Sequence, residues 1–230
     1  MSTEQDKLKA AAAASAVGLL KDGMIVGLGS GSTSALAVNA VGERVKQGLR
    51  IVAVATSERT EAQARALGIP VSSLADNPNV DMTIDGADQV EERSLDLIKG
   101  HGGALLREKI VAGASKRLVI MVDASKLVHQ LGVRYPIPIE VVPFGWQLTA
   151  KHLEGLGGQV SLRRNPDGEP YRSDGGNYIV HCTFESGISP ESLAEGLDHV
   201  VGVVEHGLFI GMTAEVHLAE AGGVRVLKAR

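Results

Sequence analysis

Short, continuous apolar runs alternate with amphipathic stretches through the first 130 residues of the chain. Such runs are typical of strands that are buried on both faces of a parallel sheet, and the amphipathic stretches predict the helices that cover it. The predicted helices span residues 5–21, 32–47, 57–67 and 104–112, and the predicted strands span residues 24–29, 51–55, 80–85 and 117–122. This alternation indicates an α/β domain with a parallel sheet between two helical layers.

The rhythm changes where Pro136, Pro138 and Pro143 fall within eight residues. The segments predicted after them are strands at 137–142, 159–163 and 177–184, a helix at 146–156, a helix opening near Ser189, and a hairpin turn at 165–168. Two further strands, at 208–212 and 224–227, are predicted to return to the first domain. The pattern therefore predicts a main domain of residues 1–132 and 208–230, and a small α+β domain of residues 133–207 inserted into it.

Composition excludes several classes of protein. Of the 230 residues, 44% are hydrophobic and 22% are charged, which is ordinary for a globular protein. The net charge of −4 gives no general attraction to nucleic acid or to an anionic membrane, and aromatic residues make up only 3%, too few for a base-stacking surface. An anionic small molecule would therefore need a local binding site.

The apolar content also bears on where the protein works. No stretch of 18 apolar residues exists, and the alanine run at Ala10–Ala14 is flanked by charges, which favours an amphipathic helix over a signal peptide. The single cysteine, Cys182, cannot form an intrachain disulfide and lies in an apolar run, so we interpret it as a buried strand residue and not as a nucleophile. These features predict a cytoplasmic protein.

A glycine-rich segment, Gly27–Thr33, follows the first predicted strand and opens a helix. Glycines permit a tight turn, and the amides of a helix N-terminus attract phosphate, to which Ser30, Ser32 and Thr33 would add hydroxyl groups. The segment is not a Walker A loop, because no Lys precedes the Ser-Thr pair, and Ser32 stands where a dinucleotide fingerprint needs its third glycine. The alternative is an ordinary strand-to-helix turn capped by Ser32.

Polar residues also follow two other predicted strands. In the run Thr56–Thr60, Ser57 with Thr60 behind it is typical of a helix cap, although the carboxyl ends of strands in an open parallel sheet are where ligands bind. Asp85 and Asp88 are three residues apart and leave three readings open. They are a turn or capping pair, a magnesium site, or an acid/base pair that moves protons between hydroxyl groups.

The segment Lys99–Lys109 joins a glycine-rich turn to an apolar helix that contains Glu108. Loss of solvent around such a carboxylate raises its pKa, which suits a general base near neutral pH. The alternative is a surface pattern of alternating charges at Arg107–Lys109. Lys126, just past another strand, is either a further cation for phosphate or a solvated loop residue.

In this order, these segments closely resemble the A-type ribose-5-phosphate isomerases over nearly the whole chain. The matching segments are Gly27–Thr33, Thr56–Ser57, Asp85–Asp88, Lys99–Lys109, Ser125–Lys126, Pro138–Pro143 and Gly175–Asn177. The resemblance implies a Rossmann-like parallel sheet domain with an inserted, smaller α+β (ferredoxin-like) lid domain, assembled as a homodimer or homotetramer. It also implies interconversion of D-ribose 5-phosphate and D-ribulose 5-phosphate through an enediolate, in the non-oxidative pentose phosphate pathway, with no metal or other cofactor.

The same resemblance implies roles for individual residues. Glu108 would be the base that moves a proton between C2 and C1, and Lys99 would stabilise the developing oxyanion. Asp85 would assist ring opening and Asp88 would handle hydroxyl protons. The positions that would bind substrate are Ser30, Gly31, Ser32, Thr33, Gly86, Ala87, Gly100, His101, Gly102, Lys126 and Lys9.

Three positions depart from the pattern of that family. His101 stands where glycine is common, Gln89 where an acid often follows, and Ser30 where threonine is frequent. Because glycine often serves a positive φ, His101 leaves the backbone conformation of its loop open, and we interpret its side chain as a bystander to catalysis.

Two other functions remain as alternatives at this point. One is a non-catalytic sugar-phosphate sensor, which would not need Glu108 or Lys99. The other is a different enzyme of the same superfamily, such as a sugar-phosphate lactonase or a CoA transferase. The short chain and the Glu108 segment argue against the CoA transferase.

Overall fold

The computed structural model describes residues 3–184 and 189–229. Within these ranges the helices are α1 (Glu4–Val17), α2 (Ser32–Lys46), α3 (Glu58–Ala66), α4 (Leu105–Gly113), α5 (Trp146–Gly155) and α6 (Pro190–Asp198), beside a 3₁₀ turn at Ala124–Lys126. The strands are β1 (Ile25–Leu28), β2 (Val52–Ala55), β3 (Met82–Asp85), β4 (Gln89–Glu91), β5 (Leu97–Ile98), β6 (Leu118–Asp123), β7 (Leu127–Val128), β8 (Ile137–Val141), β9 (Gly158–Leu162), β10 (Tyr178–Phe184), β11 (Val203–His206), β12 (Leu208–Phe209), β13 (Thr213–Glu220) and β14 (Gly223–Lys228). None of these helices has the length and apolar character needed to span a bilayer.

The main sheet has the strand order β14-β13-β6-β3-β1-β2. Its strands are parallel except for β14, which pairs antiparallel with β13 at the edge. Alternate residues of β6 serve opposite faces, because Val119 and Met121 pack with α1 and α2 while Ile120 and Val122 pack in a second cluster. Burial on both faces explains the continuous apolar run of this strand.

A second sheet, antiparallel and with the order β11-β8-β10-β9, is built from residues 137–206. Its elements follow one another as β8-α5-β9-β10-α6-β11, which is the split βαβ arrangement of ferredoxin-like folds. Cys182 lies in the core of this unit, where burial raises the pKa of its thiol to about 12. The fold is thus a Rossmann-like parallel sheet with a smaller ferredoxin-like unit, as predicted.

The prediction for the returning strands was partly wrong. Only Leu208–Phe209 of the predicted strand 208–212 is extended, and it pairs with β5 in a short third sheet of order β12-β5-β4-β7. The predicted strand 224–227 is confirmed as β14 of the main sheet, and β13, which lies between β6 and β14, was not predicted. Its buried positions include Glu215 and His217, whose side chains lie 3.3 Å apart, so the apolar run expected of a buried strand is interrupted.

Candidate active site

Four polar loops meet at the carboxyl edge of the main sheet. They follow β1, β2, β3 and β6. The chain passes from β1 to β2, its neighbour on one side, and then crosses to β3, its neighbour on the other side. Strands β1 and β3 therefore flank a topological switch point. A cavity of about 100 Å³ opens there. It is lined by Lys9, Ser30, Gly31, Ser32, Thr33, Gly86, Ala87, Asp88, Lys99, Gly100, Gly102, Glu108 and Lys126.

The glycine-rich loop after β1 presents the N-terminus of α2 to this cavity. Gly31 occupies the cap position with φ 97°, a conformation that glycine adopts without strain, and no side chain caps the helix. The alternative of a turn capped by Ser32 is therefore wrong. Lys9 of α1 places its Nζ 3.3 Å from Ser32 Oγ, so a cation stands beside the uncapped amides. This end of the cavity has the chemistry of an anion site.

Asp85, at the end of β3, is buried behind the cavity wall. Its Oδ1 accepts hydrogen bonds from Ser30 N (3.1 Å), Ser34 Oγ (3.0 Å) and Gly86 N (2.7 Å). A Cβ atom at Gly29 would overlap this carboxylate, so the glycine is what permits the close approach. Asp85 thereby fastens the loop after β1 to the loop after β3.

The ammonium group of Lys99 lies between two carboxylates. Its Nζ is 2.9 Å from Asp85 Oδ2 and 3.2 Å from Glu108 Oε2, and it donates to Gly86 O at 2.6 Å. Burial disfavours the charge, but the carboxylates of Asp85 and then Glu108 more than offset this, so the pKa of Lys99 is raised above its usual range. Lys99 is therefore a fixed positive charge in the cavity wall.

Glu108 is buried in the first turn of α4 and borders the cavity. Its Oε2 makes no hydrogen bond within the described part of the chain, although Lys99 Nζ is near. Burial raises the pKa of Glu108 from its ordinary value of 4.5 to about 8, with Lys99 opposing the rise and Asp85 adding to it. The prediction of a desolvated carboxylate is confirmed, and the reading of residues 107–109 as a surface charge pattern is wrong for Glu108.

Asp88 and His101 meet through the backbone. Asp88 Oδ2 accepts a hydrogen bond from His101 N at 3.0 Å, and Asp88 borders the cavity while His101 does not. The imidazole of His101 points instead to Pro136 O, at 2.9 Å from Nε2, and stacks on His181 with ring centroids 5.4 Å apart.

The backbone question at His101 has a clear answer. The positive φ values of the loop belong to Gly100 (106°) and Gly103 (85°), and among the described non-glycine residues only Leu95 has a positive φ. His101 therefore occupies a conformation that any residue adopts, and its side chain leaves the glycine turn intact.

Thr60 is a residue of this region that the sequence patterns did not single out as a candidate. Its hydroxyl donates to Gly29 O at 3.1 Å, and it lies with Thr56 and Ser57 beneath Ser30. The sequence contains one sign of this role of Thr60. The run Thr56-Ser-Glu-Arg-Thr60 follows a strand and has hydroxyl residues at both ends of the first helical turn, which is more than a helix cap requires.

Comparisons with known proteins agree with this geometry. The family model for ribose 5-phosphate isomerase A (phosphoriboisomerase A) matches residues 52–223. The ribose-5-phosphate isomerase A of Gloeobacter violaceus is 55% identical over 222 residues, which is 96% of each chain. That of Synechococcus sp. is 52% identical over 224 residues, or 97% of each chain.

Solved structures show the same relationship. The structure of ribose 5-phosphate isomerase A from Methanocaldococcus jannaschii superposes with a TM-score of 0.93 at 37% identity, covering 98% of this chain and all of that one. A D-ribose-5-phosphate isomerase in complex with phospho-erythronic acid gives a TM-score of 0.94 at 33% identity, again over 98% of this chain and 100% of the other. With sequence, fold and cavity in agreement, the chain belongs to the ribose 5-phosphate isomerase A family.

Proposed function

We propose that this protein interconverts D-ribose 5-phosphate and D-ribulose 5-phosphate as an aldose–ketose isomerase of the non-oxidative pentose phosphate pathway. The observation that carries the proposal is the carboxylate of Glu108, which is buried, borders the cavity and is ion-paired through Oε2 with Lys99 Nζ at 3.2 Å. A base of raised pKa next to a fixed cation is what proton abstraction beside a carbonyl group requires. The D-ribose-5-phosphate isomerase of similar structure that binds phospho-erythronic acid supports the class of substrate.

The reaction begins on the open-chain aldose. Glu108 takes the proton from C2, the electrons of the C–H bond form a double bond between C1 and C2, and the carbonyl oxygen on C1 becomes an oxyanion that Lys99 stabilises. The hydroxyl proton on O2 passes to O1, and Glu108 returns its proton to C1. The ketose results with no net gain or loss of atoms.

The phosphate group occupies the opposite end of the cavity. Its donors are the amides at the start of α2 in the segment Gly31–Thr33, with Lys9 and Lys126 as cations. The space between the two ends of the cavity is bordered by Gly86, Ala87, Gly100 and Gly102. The absence of side chains at three of these four positions gives the sugar room.

The two aspartates have different parts in this proposal. The oxygens of Asp85 are engaged by backbone, Ser34 and Lys99, which supports a role in holding Lys99 in place. Asp88 borders the cavity and is held on one oxygen by His101 N. We therefore assign both ring opening and the transfer of hydroxyl protons to Asp88.

Metal independence is part of the proposal. The alternative of a magnesium site at Asp85 and Asp88 is disfavoured because Lys99 Nζ lies 2.9 Å from Asp85 Oδ2, while three donors occupy Asp85 Oδ1. Within residues 3–184 and 189–229, three or more acidic, histidine or cysteine residues converge closely enough to hold a metal only at Asp198, Glu205 and His206, none of which borders the cavity. Turnover that is unchanged by EDTA is expected, and a loss that is restored by Mg²⁺ would contradict it.

We also propose different roles for the two domains. Residues 1–132 and 208–230 form the catalytic domain, and residues 133–207 act as a lid over its glycine-rich loop. We expect a homodimer or homotetramer, which light scattering coupled to size-exclusion chromatography would distinguish.

The central experiment is an assay of purified protein with ribose 5-phosphate, following the formation of ribulose 5-phosphate by NMR. In D₂O, the products are expected to acquire deuterium at C1 of the ketose and C2 of the aldose, because the base exchanges its proton with solvent between steps. A protein that binds ribose 5-phosphate without converting it would be a sugar-phosphate sensor, and the proposal would fail.

A further inference from the structure

Four hydroxyl groups lie together beneath the loop that follows β1. Ser30 Oγ is 2.8 Å from Thr56 Oγ1 and 2.8 Å from Ser57 Oγ. Ser57 Oγ is 2.9 Å from Thr60 Oγ1, which in turn is 3.1 Å from Gly29 O. Thr56, Ser57 and Thr60 are buried, so the protons of these hydroxyls must find partners inside the protein.

The carbonyl of Gly29, at one end of this network, fixes the direction of its hydrogen bonds. Gly29 O can only accept, so the proton of Thr60 is committed to it. Ser57 then donates to Thr60, and Ser30 donates to Ser57. Thr56 in turn donates to Ser30, so each of the four protons has an acceptor within the network.

The other donor of Ser30 is also occupied, because its backbone N–H donates to Asp85 Oδ1 at 3.1 Å. Resting on the proposed function, we infer that Ser30 gives no hydrogen bond to the substrate phosphate, and that Ser30, Thr56, Ser57 and Thr60 are positioning residues. They hold the loop so that the amides of Gly31–Thr33 face the phosphate.

Helix capping does not account for the network. The cap of α3 is complete once Ser57 Oγ accepts the backbone N–H of Thr60, at 3.1 Å. The hydroxyl of Thr60 goes beyond this and ties the start of α3 to Gly29, 31 residues earlier in the chain. Replacing Thr60 with valine therefore keeps the cap and the shape of the side chain, and removes both the hydrogen bond to Gly29 O and the acceptor of the Ser57 proton.

The test is a double-mutant cycle between Thr60→Val and Ser30→Ala. The readouts are KM and kcat for ribose 5-phosphate and the inhibition constant of inorganic phosphate. Each single variant is expected to raise KM and the phosphate inhibition constant in parallel by about tenfold, with kcat within twofold, because loss of one hydrogen bond releases the loop whose amides face the phosphate. The double variant is expected to be no worse than the more affected single variant, because both changes break one network.

Two further variants separate positioning from a general loss of stability. Thr60→Ser keeps the hydroxyl and is expected to restore both constants. Thr149→Val is the matched control, since Thr149 is equally buried and donates to a carbonyl, that of Val201, in the ferredoxin-like unit. It is expected to lower the melting temperature without changing KM or the phosphate inhibition constant.

A direct phosphate contact by Ser30 would give a different pattern. Ser30→Ala alone would then raise both constants, Thr60→Val would leave them unchanged, and the inference would be overturned. If Thr60→Val does not fold, Thr56→Val takes its place in the cycle. If the parent protein shows no turnover, the proposed function fails on its own, and calorimetric Kd values for ribose 5-phosphate across the same variants still decide the role of Ser30.

Discussion

Replacing Glu108 with glutamine is expected to abolish activity and at the same time to stabilise the protein. The amide has nearly the shape of the carboxyl group, and Lys99 keeps its contacts with Asp85 and Gly86. The change therefore removes one buried charge and the base, and leaves the phosphate end of the cavity untouched. Loss of function with a gain in stability is expected of a catalytic group whose buried charge destabilises the folded state.

The size of the stabilisation follows from the pKa of Glu108. The carboxyl group ionises at its ordinary value of 4.5 in the unfolded chain and at about 8 in the folded one. Below pH 4.5 it is protonated in both states and costs nothing. Between pH 4.5 and 8 only the unfolded chain ionises, so the folded state loses about 1.4 kcal/mol of stability per pH unit; above pH 8 both states are ionised and the cost stays on the order of 5 kcal/mol.

Urea unfolding at pH 5, 7 and 9 measures this prediction. Glu108→Gln and the parent should have similar free energies of unfolding at pH 5, and the variant should be the more stable by several kcal/mol at pH 9. Glu154→Gln is the matched control, because Glu154 is exposed on α5 and the same substitution there should give no growing difference with pH.

Kinetics on the same variant test the role of Glu108 as a base. We expect kcat to fall by about 10²–10⁴-fold while the Kd of ribose 5-phosphate is retained. In the parent, kcat/KM should rise with pH up to about 8, where Glu108 becomes ionised in the free enzyme. A variant with unchanged kcat, or a stability difference that does not vary with pH, would refute the reasoning.

Three further substitutions or reagents probe other features of the structure. Lys99→Met should abolish turnover and lower the free energy of unfolding at pH 9 by about 3–5 kcal/mol, because Asp85 and Glu108 lose the cation between them, and a variant of unchanged stability would contradict this. Lys126→Met should raise KM for ribose 5-phosphate severalfold with kcat retained, whereas a fall in kcat alone would assign Lys126 to the chemistry. Cys182 should resist thiol reagents until the protein unfolds, because burial raises its pKa to about 12, and rapid labelling of the native protein would show that its strand opens.

Of the six strands of the main sheet, the sequence predicts five and misses β13. Strand β6 is a continuous apolar run and was placed within one residue at each end. Strand β13 is buried as deeply, but Glu215 and His217 break its pattern, and their partners are distant, with Ser15 Oγ 2.7 Å from His217 Nδ1 and Arg117 3.0 Å from Glu215. From the local sequence pattern alone, a buried polar residue whose hydrogen-bond partners are distant in the chain cannot be distinguished from a solvent-exposed one.

The same limit applies to the site. The order of the segments and the chemistry of their residue types predict that Glu108, Lys99 and the two aspartates belong to the site. They do not predict which atoms each carboxylate oxygen contacts. Asp85 is surrounded by donors that come from a loop more than 50 residues earlier, which no local spacing reveals. Its place as a holder of Lys99 therefore emerges only from the fold.

The distribution of charge in the cavity explains how a chain of net charge −4 holds a phosphorylated sugar in one orientation. Lys99 is paired with carboxylates at one end, whereas Lys9 and Lys126 form no ion pair within residues 3–184 and 189–229. The uncompensated positive charge thus lies with the amides of α2, whereas Lys99 is paired with Asp85 and Glu108, and Asp88 adds a carboxylate to the cavity wall. We therefore expect the proposed substrate to bind with its phosphate at α2 and with C1 and C2 toward Glu108, because the reverse orientation would move the dianion away from Lys9 and Lys126.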